Sequence, residues 1–284
     1  VKDYLHYLTP FARHRFLNND QLTKLSGRSF DTTERAIHVL KSEPNFLLKL
    51  CDEQNRNRRF YQNSKAYYEL SPKGEKELRD RGVPIIAQNS SRSFDHEVMT
   101  NEISSSFDIG ARETGTEIWW WNDLTDKLNP GATASVPLDV PSSRDAKKVK
   151  PTYFHPDYPP LVINRKFFLH GFQTDCDSED LDPKTQKGSS IRHHFERSID
   201  IMRRGIFRTH FGTETFYVPF VTTFEGRMRN MIALLQSIDA KDCERFFLFK
   251  WMPTFKLGTP APVTGHMLTE PWLRGDGRQF SFLK

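Results

Sequence analysis

The run Thr215–Thr223, TFYVPFVTT, constrains the fold of this chain more than any other stretch. Nearly every position is apolar or β-branched, so a strand built from it has no polar face to turn to water. Such a strand belongs in a sheet covered on both sides. Pro219 within the run predicts a bulge or an edge position, because proline brings no N–H to the ladder. Arg245–Trp251 (RFFLFKW) predicts a further strand. Between them, Glu225–Ser237 has helical spacing, with Met228, Ile232 and Leu235 inward and Arg227 and Arg229 available for contacts. Upstream, Ser189 or Ser190 caps a helix running to about Arg204, whose apolar face is Ile191, Phe195, Ile199 and Met202. The adjacent His193 and His194 point about 100° apart on a helix and make a poor metal pair. Strands alternating with amphipathic helices describe a mixed sheet with helices on its faces.

The stretch before this core is organised around Val149–Glu179. It reads as two strands joined by a Pro-rich turn, the second (Lys166–Asp175) leading into the acids Asp175, Asp177, Glu179 and Asp180. Phe94–Phe107 has an amphipathic helix pattern, with Phe94, Val98, Ile103 and Phe107 on one face and Glu97 and Glu102 to the side. Glu117–Trp121 reads as a short strand with Trp119 and Trp121 on one face and Trp120 on the other. Such aromatic rows can stack bases, but more often they are core. Asn129–Lys148 is rich in Pro, Ser, Gly and charge and reads as a loop, and Pro253–Lys284 as an irregular tail.

The N-terminal third differs in charge. Val1–Gly82 holds 16 Lys and Arg against 11 Asp and Glu, whereas the other 202 residues hold 25 of each. The whole net charge of +5 therefore sits in this third, the natural nucleic-acid-facing module. Its pattern is a helix over Asp3–Arg15, interrupted or restarted at Pro10, then a short helix Asp20–Leu25 capped by Asn18 or Asn19 and ended by Gly27. A third helix, Asp31–Ser42, carries the apolar stripe Ala36, Ile37 and Leu40. Strands Phe46–Leu50 and Ala66–Leu70 flank the polar, basic segment Cys51–Lys65. Ser71 then opens a last helix, Glu75–Arg81. Helices followed by a hairpin make a winged helix-turn-helix, in which the third helix enters the major groove and the hairpin tip meets phosphates. The expected DNA contacts are Thr32, Thr33, Arg35 and His38 on the helix and Arg56, Arg58, Arg59 and Lys65 on the wing.

At 284 residues the chain suits two domains. The expected limits are a DNA-binding domain over 1–84, a linker over 85–93, an α/β domain over 94–252 and a tail over 253–284. No run of 18 apolar residues occurs, which with the lack of a signal-peptide pattern predicts a cytoplasmic protein without a membrane partner. The widely spaced Cys51, Cys176 and Cys243 fit neither a disulfide framework nor a zinc set.

Several strings together resemble the replication-relaxation family of plasmid and mobile-element proteins: Tyr68-Glu-Leu-Ser-Pro-Lys-Gly74, Phe94-Asp-His-Glu-Val98, Val149-Lys-Pro151, Phe172–Glu179, and Thr222-Thr-Phe-Glu-Gly-Arg227 followed by Arg229-Asn230. The resemblance spans roughly residues 10–238. It implies an α+β, mixed protein: an N-terminal winged helix, then a domain similar in fold to PD-(D/E)XK nucleases. It also implies a bacterial, nucleoid- or plasmid-associated setting and a role in replication, DNA relaxation, mobilisation or regulation, with replication or mobilisation proteins as further partners. An active nuclease of this fold holds Mg²⁺ with two strand acids, the second placed two residues before a lysine on the same strand face. Aligned on that pattern, Thr152 and Gln173 occupy the acid positions and Asp175 the lysine position. The expected protein is accordingly a non-catalytic binder of double-stranded DNA without a cofactor, acting as a homodimer on two half-sites. The alternatives are a divergent Mg²⁺-dependent endonuclease using Asp157, Asp175, Asp177 and Glu102, and a protein-interaction module without nucleic acid.

Overall fold

A computed structural model describes residues 4–56, 65–86, 93–138, 152–176, 180–181, 190–252 and 263–283. They form a mixed α+β protein with several small sheets. The chain divides into two compact units, one comprising Val1–Thr116 and Met252–Glu270, the other Glu117–Trp251 and Pro271–Phe282.

In the first unit, α1 (Leu5–Leu8) passes into a 3-10 turn at Thr9–Ala12, the change of winding falling at Pro10. β1 (Leu17–Asn18) leads into α2 (Asn19–Ser26). Here Asn18 accepts from the Gln21 backbone N–H while the Gln21 side chain accepts from the Asn18 backbone N–H, and Gly27 ends the helix at φ +66°. α3 (Phe30–Lys41) starts earlier than the sequence suggests. Ser29 is its cap, which leaves the Asp31 carboxylate in the first turn, where it complements the helix dipole. β2 (Leu48–Leu50) is followed by α4 (Asp52–Arg56), a short helix inside the expected loop, then β3 (Tyr67–Leu70) and α5 (Pro72–Asp80), capped by Ser71. The sheet is antiparallel in the order β1-β3-β2. Leu8, Phe11, Leu17, Leu22, Leu25, Ile37, Leu40 and Leu78 form the core beneath it.

α6 (Phe94–Thr114) belongs to this unit, so the division falls after Thr116 and not at 85–93. Its middle, Val98–Gly110, is buried all round, including Glu102, which the sequence places to the side of the apolar face. The reason is a seam of specific bonds. Ser104 and Asp108 meet the two ring nitrogens of His14, at 2.9 and 3.3 Å. Ser105 accepts from Gln21, Asn101 from the Phe16 backbone, and Glu102 from the Tyr67 hydroxyl at 2.7 Å. Satisfied polar groups can be buried at little cost.

The second unit opens with β4 (Ile118–Trp119) and α7 (Trp121–Leu124). The expected strand stops at Trp120 because the Asp123 carboxylate takes its backbone N–H and starts the helix; Trp120 itself is buried edge-to-face against Tyr158. β5 (Val136–Leu138) lies within the expected loop and pairs with β6 (Thr152–Phe154). β7 (Leu161–Ile163) and β8 (Phe167–Leu169) form the hairpin. Its turn is at Asn164 and Arg165, both with positive φ, and not at the prolines. β9 (Gln173–Asp175) follows after a break. Then come α8 (Ile191–Arg203), capped by Ser190, and α9 (Ile206–Phe211), held between the left-handed Gly205 and Gly212 and not foreseen from sequence. β10 (Val218–Thr222), α10 (Glu225–Ser237) and β11 (Phe247–Trp251) complete the parallel core. The expected irregular tail is partly regular: α11 (His266–Thr269) joins the first unit, while β12 (Trp272–Arg274) and β13 (Gln279–Phe280) extend the main sheet of the second.

That sheet has the order β13-β12-β11-β10-β9, parallel across β9, β10 and β11 and antiparallel beyond. β10 is buried along its whole length, as its composition requires. Pro219 occupies this inner strand because the bulge is in its neighbour. Tyr217 lies opposite Leu169, but Phe220 lies opposite Gln173, so four steps of one chain answer three of the other. Tyr217 faces that neighbour with both its N–H and its carbonyl, and Pro219, two residues on, turns its nitrogen to the same side, where the ladder is interrupted. Gly171 makes the interruption possible. It has φ +64°, and a Cβ there would sit 1.7 Å from the Tyr158 carbonyl oxygen.

Candidate nucleic-acid interface and buried acid cluster

In the first unit, α3 buries Thr33, Ala36, Ile37 and Leu40 against the core. Thr33 is therefore not a contact residue. Its hydroxyl donates to the Ser29 carbonyl at 3.0 Å and its side chain closes the helix start. Thr32, Arg35 and His38 are exposed, together with Asp31 and Glu34. One flank of the helix, Thr32, Arg35, Ala36 and Val39, joins Tyr4, His6, Tyr7 and Arg28 around a groove of about 410 Å³.

The base of the β2–β3 connection is pinned. Gln54, buried, donates to the Lys65 carbonyl at 2.7 Å and accepts from the Tyr67 backbone N–H at 2.8 Å. Lys65 is held in an ion pair with Asp20, so its charge is partly neutralised within the protein. Arg56 ends α4; Arg58 and Arg59 lie outside the described residues.

In the second unit, Gln173 and Asp175 lie on β9 and Thr152 opposite Leu138 on β6. Asp175 is buried at the C-terminal end of the parallel strands. Arg227, on the first turns of α10, grips it at two points, Nη2 to Oδ1 at 3.0 Å and Nε to Oδ2, and Thr222 on β10 donates to Oδ2 at 2.9 Å. The cation that answers Asp175 comes from a helix 52 residues later in the chain. The sequence offers Arg227 only as a contact residue, since nothing in the spacing connects it to Asp175.

Asp157 is drawn to the same strand, its backbone N–H donating to the Phe172 carbonyl and its carboxylate accepting from the Thr174 N–H. Gln173 is buried with no partner for its Nε2 among the described residues. It lines a cavity of about 20 Å³ with Asp157, Thr174, Asp175 and His194. That is room for about one water molecule, far less than a hydrated divalent ion and a phosphate need. A metal at Asp175 would have to displace Arg227. Asp177 lies outside the described residues. Glu102 belongs to the first unit, where Tyr67 donates to it; burial, and then the Glu102 charge, push the Tyr67 hydroxyl well above its ordinary pKa. Among the described residues no three His, Cys, Asp or Glu side chains are arranged to hold a metal ion.

Trp119 does not present a free stacking face. Arg165 and Lys127 lie over its ring at 5.2 and 5.1 Å, and its indole N–H donates to Glu117. The sequence pattern carries no signal for His170, which is fully buried between Phe154 and Phe216, with ring centroids at 5.2 and 5.0 Å. Neither of its ring nitrogens makes a hydrogen bond of normal geometry, and burial pushes its pKa down to about 3. Cys51, Cys176 and Cys243 are all free thiols, and no helix among the described residues is long and apolar enough to cross a membrane.

No protein-family model matches the chain, and no curated protein or solved structure does so either.

Proposed function

We propose that the first unit is a winged-helix domain that binds double-stranded DNA. The second unit, on this reading, is a nuclease-like scaffold without catalysis. The protein then acts, as a dimer on two half-sites, in the replication, relaxation, mobilisation or regulation of a bacterial plasmid or mobile element. One observation carries the reading: α3 stands directly before the antiparallel β2–β3 pair and leaves Thr32, Arg35 and His38 exposed. This is the order of a recognition helix and a wing. The charge excess of the first 82 residues supports it. The non-catalytic part is supported by the Asp175–Arg227 pair, which occupies the carboxylate that an endonuclease would need for its metal.

The test is binding of the full chain to intergenic duplexes of its own genetic element across a salt series. Changing Arg56, Arg58 and Arg59 together to alanine should lower the salt slope by roughly 1 for each phosphate that is no longer neutralised. His38→Ala and Arg35→Ala should weaken the preferred duplex more than a random one. Binding to no duplex would leave the protein-interaction alternative, and Mg²⁺-dependent nicking of supercoiled DNA abolished by Asp175→Ala would overturn the non-catalytic assignment.

A further inference from the structure

We infer that the groove between α1 and α3 is a nucleotide site, taking the phosphate of a single nucleotide unit on Arg28 and Arg35 and its base against Tyr4 and His6. The inference deepens the DNA-binding reading and rests on it for the source of the ligand. Three features of the groove point the same way.

The first is charge. No acidic side chain lines the groove, whereas Arg28 and Arg35 both do. Arg28 and Arg35 are exposed and form no ion pair with a described residue. The outer ridge of α3 is different, because Asp31 and Glu34 stand there beside His38 and would repel phosphates. The most anion-friendly part of this helix is thus its flank. Two guanidinium groups on one groove favour phosphate, which each can hold through two N–H donors.

The second is the opposite wall. Tyr4 and His6 are half-buried at the rim, and His6 is backed by the buried Tyr7 ring at 4.1 Å between centroids. Rings held in place by core packing stack bases of any sequence. The third is size. About 410 Å³ lies within the range of small-ligand sites and suits one nucleotide; it is too confined for a duplex.

A strand end or an extruded base would supply such a unit, and so would a free nucleotide. The experiment titrates the ¹⁵N-labelled full chain separately with dAMP, inorganic phosphate, a short single strand and a duplex. The expected result is that dAMP shifts the amides of residues 4–7 and 28–39 more strongly than phosphate does. In the Arg28→Ala/Arg35→Ala variant dAMP should bind at least tenfold more weakly, with Arg28→Lys/Arg35→Lys restoring part of the loss. A single strand binding more tightly than dAMP at the same amides assigns the source to nucleic acid, and equal binding assigns it to free nucleotide. No shift at these residues with any of the ligands overturns the inference, as does undiminished dAMP binding in the double alanine variant. Duplex binding that is weakened in His38→Ala, with no dAMP shift at residues 4–7 and 28–39, leaves the DNA reading standing and overturns the groove. Binding of dAMP without binding of any duplex does the reverse.

Discussion

Arg227 reaches across from the start of α10 to hold Asp175 at the end of β9 by two parallel bonds, with both side chains buried. Removing one partner of such a pair leaves an uncompensated charge in the interior. Arg227→Met should destabilise the second unit by about 3–5 kcal/mol. The double variant Asp175→Leu/Arg227→Met should recover most of the loss, because the apolar pair carries no desolvation cost. All five tryptophans lie in this unit, so indole fluorescence during urea unfolding reads it separately. Equal instability of the single and double variants would mean that the site is held by shape alone.

The same two residues mark what is legible in the sequence. The limits of α10, Glu225–Ser237, follow from Met228, Ile232 and Leu235, which repeat with the helical period. The buried strand β10 is equally plain from its unbroken apolar run. Local pattern does not reveal that Arg227 closes on Asp175, since only the parallel pairing of β9 and β10 brings α10 over that strand end. β12 and β13 are hidden because they span only three and two residues around Gly275 and Gly277, and they become strands only by pairing with β11 and with each other. The helical period of α6 shows only its apolar stripe, and nothing in it reveals that the hydroxyls of Ser104, Ser105 and Ser106 all find partners inside the first unit. Thr33 misleads in the opposite sense: it stands three residues before Ala36 and four before Ile37, so the helical period puts it on the inward stripe although its side chain is polar.

His170 makes the second unit sensitive to acid. Its folded pKa is about 3, against an ordinary value of 6.5, so between those values the unfolded chain binds a proton that the folded chain excludes. Stability therefore rises with pH across that window and falls by up to about 1.4 kcal/mol per pH unit as the solution is acidified below 6.5. His170→Phe keeps a ring between Phe154 and Phe216 and removes the titration. Urea unfolding followed by indole fluorescence at roughly pH 7, 6 and 5 should show a flatter slope for the variant, by one proton. Identical slopes would place the acid sensitivity elsewhere.

Asp108 acts in the first unit. Burial alone would raise its pKa, but the His14 hydrogen bond and charge, with Arg13 and Arg112, outweigh that and hold it below the ordinary carboxylate value. Its ionised form thus contributes stability that is present above the unfolded pKa and lost as pH falls through the folded one. Asp108→Asn removes that charge and should cost about 1–3 kcal/mol at neutral pH. The loss should shrink in acid, where the wild-type carboxyl is itself protonated. Cys51 is buried in this unit and the other two cysteines are not part of it, so its rate of labelling during urea unfolding by a pyridyl disulfide, which its own protonation keeps reactive in acid, measures the effect. A cost that stays constant down to strongly acid pH would show that Asp108 acts through shape and not charge.

Gly110 tests how α6 and α11 meet. In an exposed helix interior, replacing glycine by alanine stabilises by about 1 kcal/mol. At Gly110 a Cβ would lie 2.7 Å from the Gly265 carbonyl oxygen and 2.9 Å from the Leu268 Cβ, and a Cβ on Gly265 would lie 2.4 Å from the Gly110 Cα. The obstacle on each side is backbone, which cannot swing away as a long side chain can. Gly110→Ala should therefore destabilise the first unit by about 1–3 kcal/mol despite its better helix propensity. Gly115→Ala, at the left-handed end of the same helix, meets no atom within 4 Å and suffers only from its positive φ. If Cys51 labelling shows Gly110→Ala to be as stable as the parent protein, α11 does not pack on α6 at that glycine in solution.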